Sequence, residues 1–245
     1  MNTSAVEASL GSAPDLAGLE PVEKITRRWP MLLGGALTLL MIGALAHAAA
    51  RDDIDLWVHL GDYLYEYAKG GYAPEGGAVA GRWPEPVTEM IHLTDYRLRY
   101  ASYRSDPDLQ ELHRLKPMLV QMDDHESANN SREMSAQNNQ PEYEGLWSDR
   151  KAAALQVFKE WMPVSETPWG AYDIGGLATL FRTESRLIAR SDEPDIDALF
   201  KAANPAAALA QFRDGPLQDP ARTMLGTEQE AWLAHVPRVG PDARP

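Results

Sequence analysis

Apolar positions in this chain fall into short runs that alternate between strand and helix character. Ile54 to Val58 and Met118 to Met122 are strand-length runs, each followed at once by polar residues. Between them, Thr94-Asp95 opens a predicted helix over Tyr96 to Tyr103, with aromatic and leucine positions facing inward. Ser105-Asp106-Pro107 caps a second helix, Asp108 to Leu115, which Pro117 ends. Strand, helices, strand in that order is α/β organisation with a crossover, and such folds gather functional groups where strands end. Further on, Ala152, Leu155, Phe158 and Trp161 recur at every third position in a helix predicted over Ser148 to Trp161, stopped by Pro163. Tyr172 to Arg182 reads as a hairpin turned at Gly175-Gly176, and Thr227 to Ala234 as a last helix. Ala206 to Phe212 is too short to assign. The polar stretches Asn129 to Ser131 and Gln137 to Pro141 read as loops.

Ahead of the first strand the pattern changes. Residues 1–30 show no sustained apolar period and read as a disordered tail. Arg27-Arg28-Trp29-Pro30 then leads into an uncharged run from Met31 to Ala50. A paired arginine, an apolar run and the triplet Ala46-His47-Ala48 resemble a twin-arginine export signal. At roughly twenty residues the run also suits a membrane anchor, and Ala44 to Arg51 also reads as a helix of the domain. The domain itself is expected over 51–238, with a frayed tail over 239–245.

The 245 residues are 44% hydrophobic, enough for one large domain with a core of its own. A net charge of −13 argues against a nucleic-acid-binding surface, because a phosphate backbone would be repelled. The absence of cysteine excludes disulfides and thiolate metal sites. Metal ligands are then restricted to Asp, Glu, His, Tyr and Asn. No Gly-rich phosphate loop, Gly-x-Ser-x-Gly elbow or His-Glu-x-x-His pattern occurs.

Chemistry concentrates after the two strands. Gly61-Asp62 follows the first, and Asp62 serves equally well as a cation ligand or as a helix N-cap. Tyr65 lies near enough to reach the same cation or to pack in the core. Asp123-Asp124-His125-Glu126 follows the second strand. Adjacent acids there repel one another, a repulsion that cations relieve. Asp124 is therefore a candidate metal ligand and His125 a candidate catalytic group beside a phosphate, against the plainer reading of a charged turn. Asn129, Asn130 and Arg186 are candidates for contacting substrate, against turn chemistry and a buried ion pair.

At these residues the chain resembles the PhoD-like alkaline phosphatase/phosphodiesterase family of the metallophosphoesterases. The resemblance rests on Asp55 to Tyr67 (DLWVHLGDYLYEY), Leu93 to Asp108 (LTDYRLRYASYRSDPD), Asp123 to Asn130 (DDHESANN), the Ala152 to Pro163 helix and Arg222 to Leu233 (RTMLGTEQEAWL). It implies part of a four-layer αββα sandwich preceded by an apolar N-terminal helix, and hydrolysis of phosphate mono- or diesters with Fe3+ and Ca2+. It assigns Asp62 as the bridging ligand and Tyr65 as a tyrosinate ligand to iron. Asp124 and His125 stand where other metallophosphoesterases carry an Asn-His pair. The family also carries an N-terminal β-domain with a cysteine ligand and a later Gly-Asp-x-His motif, neither of which is in this sequence. The expectation is thus an incomplete metal shell with impaired activity, or a second polypeptide supplying the missing half. The alternatives are a non-catalytic fragment and a membrane-tethered protein that binds phosphate or metal.

Overall fold

The computed structural model describes residues 44–72 and 83–236. The expected tails over 1–30 and 239–245, and most of the apolar run, lie outside them. Residues 44–50 of that run are helical, with Ala49 buried and Leu45 packed against the core. No helix among the described residues is long and apolar enough to cross a membrane.

Two short parallel strands position everything that follows. β1 (Trp57–His59) pairs with β2 (Met118–Val120) in the register Trp57 to Met118, Val58 to Leu119 and His59 to Val120. The ladder is extended by Trp57 N–H to the Pro117 carbonyl at 3.1 Å and Gln121 N–H to the His59 carbonyl at 3.1 Å. Both strands are shorter than their apolar runs. Ile54 to Leu56 and Met122 lie beyond the strands, and Val58 is 43% exposed, so β1 is not buried on both faces.

The crossover between the strands carries α1 (Leu93–Arg104) and α2 (Pro107–Leu115). The Asp95 carboxylate accepts the His92 backbone N–H at 2.8 Å, which fixes the start of α1. Asp106 caps α2 by accepting from Asp108 and Leu109 N–H, both at 3.0 Å. After α3 (Pro141–Glu144), the long α4 (Trp147–Trp161) lies against α1. Their contact buries Tyr96, Tyr100, Ala154, Val157 and Phe158, the centre of a core that also takes in Leu64, Met90, Val120 and Leu187. Tyr100 stacks between Tyr63 and Trp161, with ring centroids 6.1 and 6.0 Å away.

The rest is a separate antiparallel hairpin, β3 (Gly170–Ile174) and β4 (Ala178–Arg182), followed by α5 (Ile196–Lys201), α6 (Pro205–Asp214) and α7 (Thr227–His235). Ala206 to Phe212 is therefore helical, capped by Asn204, whose side chain accepts from Ala207 N–H. The described residues form a mixed α/β fold with two separate two-stranded sheets, and the four-layer sandwich is not among them.

Candidate metal centre

Parallel pairing sends the chain out of β1 and β2 at the same edge. Gly61 makes the approach: its φ of +103° is open to glycine, and a Cβ there would lie 2.4 Å from the Cβ of Asp123. Glu126 then ties the two exits together. Its carboxylate accepts the Asp123 N–H at 2.8 Å and the Tyr63 N–H. Fully buried, it is pushed up to about 7, chiefly by burial.

One oxygen from each of Asp62 and Asp124 and one nitrogen of His125 lie within 4.8 Å of one another. The two candidate ligands and the candidate catalytic group thus meet. Asp62 does not cap a helix, since residues 61–67 are irregular. Asp62 Oδ1 is buried without a hydrogen-bond partner, while Oδ2 accepts the Tyr65 hydroxyl at 3.1 Å. Burial first, then the neighbouring Asp124 and Asp123, push the Asp62 carboxyl up against the opposing pull of His125. An orphaned carboxylate oxygen among like charges, beside a second carboxylate and an imidazole, is a donor set that fits a cation. Burial and the Asp62 carboxylate hold the Tyr65 phenol well above the ordinary value.

His125 is buried, and its Nδ1 meets Glu66 Oε2 at 2.7 Å. Burial alone would lower its pKa, but the Glu66 carboxylate, with Asp124 and Asp62, raises it above the ordinary value. The rings of Tyr65, Tyr67 and Tyr72 surround that of His125, at centroid distances of 4.2, 5.6 and 6.1 Å.

Arg186 also reaches the cluster, with Nε 2.6 Å from Asp123 Oδ1 and Nη2 3.5 Å from Asp124 Oδ1. Its placement follows from Glu184, whose carboxylate accepts the N–H groups of Arg186, Leu187 and Ile188 at 2.8–2.9 Å. Glu184 is in turn clamped through its backbone by the buried Gln229 of α7. Asn129 and Asn130 adjoin the site through their main chain. Asn130 N–H donates to Asp124 Oδ2 at 2.6 Å and Asn129 N–H to Glu66 Oε1 at 2.6 Å, while both side-chain amides donate to Gln137 Oε1. Glu66 and Glu126 are the participants that the sequence reading did not single out. The available signal was an acid inside an aromatic run (Tyr63, Leu64, Tyr65, Tyr67), since a carboxylate there has to be buried and partnered.

A mixed α/β fold whose strand ends deliver paired carboxylates and an imidazole to one cluster is an arrangement that fits a metal centre. Residues 40–237 match the family model of PhoD-like phosphatases, and the chain belongs to that family. It is 34% identical over 193 residues to alkaline phosphatase D of Bacillus subtilis (strain 168), covering 75% of this chain and 30% of that protein. A solved structure described as that of PhoD is similar with a TM-score of 0.61 and 31% identity, over 78% of this chain and 35% of the other. The chain thus spans about a third of the length of these relatives.

Proposed function

We propose that this chain carries the metal-dependent phosphoesterase chemistry of its family, the hydrolysis of phosphate mono- or diesters. The observation that carries the reading is the meeting of Asp62, Asp124 and His125 in one cluster that contains an orphaned carboxylate oxygen. Asp62 and Asp124 are the groups to hold the metal, with Tyr65 beside Asp62. Cations bound there would polarise the phosphoryl group and make a water molecule more acidic. Carboxylate oxygens suit calcium, and a Tyr65 phenolate, its proton displaced by the bound cation, would with the carboxylates and the imidazole suit ferric iron; these are the metals the reading assigns.

The chain's own groups supply the rest. Tyr65 orients Asp62 by donating to Oδ2. His125 has Nδ1 committed to Glu66, so its Nε2 is left to hold the proton that the leaving oxygen takes. Arg186 is the cation next to the cluster, and its planar fork matches phosphate oxygens. Asn129 and Asn130 brace the cluster through their backbone N–H groups and add amides at its border. Export by a twin-arginine route is part of this reading and rests on Arg27-Arg28 and the apolar run after them.

The test is to purify the chain, count bound iron and calcium, and assay an aryl phosphate and an aryl phosphodiester. Bound metal and turnover that both disappear in Asp62→Ala support the reading. No metal and no turnover under any cation condition refutes it. Metal or phosphate binding without turnover selects the binding-protein alternative.

A further inference from the structure

Glu66 has no solvent exposure, and both of its carboxylate oxygens are engaged beside the candidate centre. Oε1 accepts from Asn129 N–H at 2.6 Å and Asn138 Nδ2 at 2.9 Å, and Oε2 takes His125 Nδ1 at 2.7 Å. Two N–H groups on Oε1 and a ring nitrogen on Oε2 surround this carboxyl with partners that favour its ionised form. An ionised carboxylate only accepts, so His125 Nδ1 must donate.

The support extends behind Glu66. Asn138 Nδ2 also donates to Glu89 Oε1 at 2.9 Å, and Glu89 is paired with the buried Arg150 at 2.8 Å. Arg150 in turn donates to the Asn138 carbonyl at 2.7 Å and to the hydroxyl of Tyr96 at 3.2 Å. The Tyr96 hydroxyl donates to the Ser127 carbonyl, two residues beyond His125. Four separate segments therefore fix one carboxylate and one ring.

We propose that Glu66 is the positioning residue of His125, holding the proton on Nδ1 so that Nε2 is the ring nitrogen that gains and releases a proton toward the cluster formed with Asp62 and Asp124. The role is set by counting donors. Two N–H groups converge on Oε1 and one on Oε2. An amide at this position has a single oxygen, and the two donors claim it. Its NH2 is then left facing His125, which must accept at Nδ1 and carry its proton on Nε2. Glu66→Gln is nearly isosteric and reverses the ring.

The measurement is ring 15N NMR on the full chain with chelator present, taken at a pH where the ring shifts themselves show the imidazole to be neutral. The unmutated chain is expected to show His125 as the Nδ1–H tautomer, and Glu66→Gln as Nε2–H. A predominantly Nε2–H ring in the unmutated chain overturns the proposal even where no variant folds. An unchanged tautomer in folded Glu66→Gln overturns it as well. The kinetic arm rests on the phosphoesterase reading: with metals restored, kcat for an aryl phosphate falls about 10–100-fold and KM moves little. A fall confined to KM counts against the role. If the unmutated chain does not turn over at all, the phosphoesterase reading fails, while the tautomer result still judges Glu66.

Discussion

At Gly61 the requirement for glycine is double. The backbone has φ of +103°, and a Cβ would meet Asp123 at its Cβ, its nitrogen and its Cα, all under 3.0 Å. Gly61→Ala should cost about 3 kcal/mol in urea unfolding and should weaken metal binding further, because the two acidic exits are forced apart. An alanine variant with undiminished metal affinity would show that the close approach does not build the site. Asp62, the next residue, predicts the opposite sign. Its carboxyl is raised by burial and by two like charges, so in chelator Asp62→Asn should be more stable by about 1 kcal/mol, or roughly 2–4 °C in Tm. The same variant should lose the upward Tm shift that added cations give the unmutated chain. Asp62, Asp124 and His125 were legible from residue type alone, since ligand-type side chains directly follow apolar strand runs. Glu66 was not, because its role depends on the ring it orients, and that ring comes from the other strand exit.

Elements were legible wherever a local signal sets them. The Asp106 cap, the Pro117 stop and the Gly175-Gly176 turn all reappear in the structure, and α4 forms where the three-residue spacing placed a helix, although it buries Ala154, Val157 and Phe158 and leaves Ala152 exposed. The hidden parts are those held by remote partners. Arg99 of α1 is 1% exposed, and among the described residues its hydrogen bonds go to backbone carbonyls. Its guanidinium donates to the backbone carbonyls of Tyr65, Tyr67, Glu85, Pro86 and Thr88. An irregular segment bearing Tyr65 and Glu66 is thereby stapled to another that leads into Glu89, and nothing in either segment's sequence announces the staple. Arg99→Met fills similar space but takes a donor from five partly buried carbonyls, and should cost about 3 kcal/mol. Hydrogen exchange locates the effect: the amides of Lys69 and Met90, which bond the Val87 and Glu66 carbonyls at 2.8 and 2.9 Å, should lose protection. The β3–β4 hairpin, which makes none of these contacts, should keep its own.

For the molecule as a whole, one contribution to the response to acid comes from a partly buried imidazole outside the metal cluster. His113 of α2 takes the Tyr63 hydroxyl at 2.9 Å and lies edge-on to Trp57 at 5.1 Å. Burial, then the nearby charges of Arg104 and His59, lower its pKa from 6.5 to about 4. Between those values the unfolded chain binds a proton that the folded chain refuses. Stability is therefore intact above pH 6.5 and declines as pH falls toward 4. Glu126 acts in the other sense. Its carboxyl, raised from 4.5 to about 7, binds a proton more readily when folded, so that contribution grows as pH falls through the same region. The net slope of the unmutated chain mixes both, and a comparison with His113→Gln separates them. The variant should be somewhat less stable than the parent at pH 7.5, where the neutral imidazole packs well, and the gap should narrow or reverse by pH 5. Urea midpoints at the two pH values make the check. A gap that stays constant would mean that His113 titrates alike in the folded and unfolded chains, and that its packing against Trp57 and Tyr63 does not exclude the charged form.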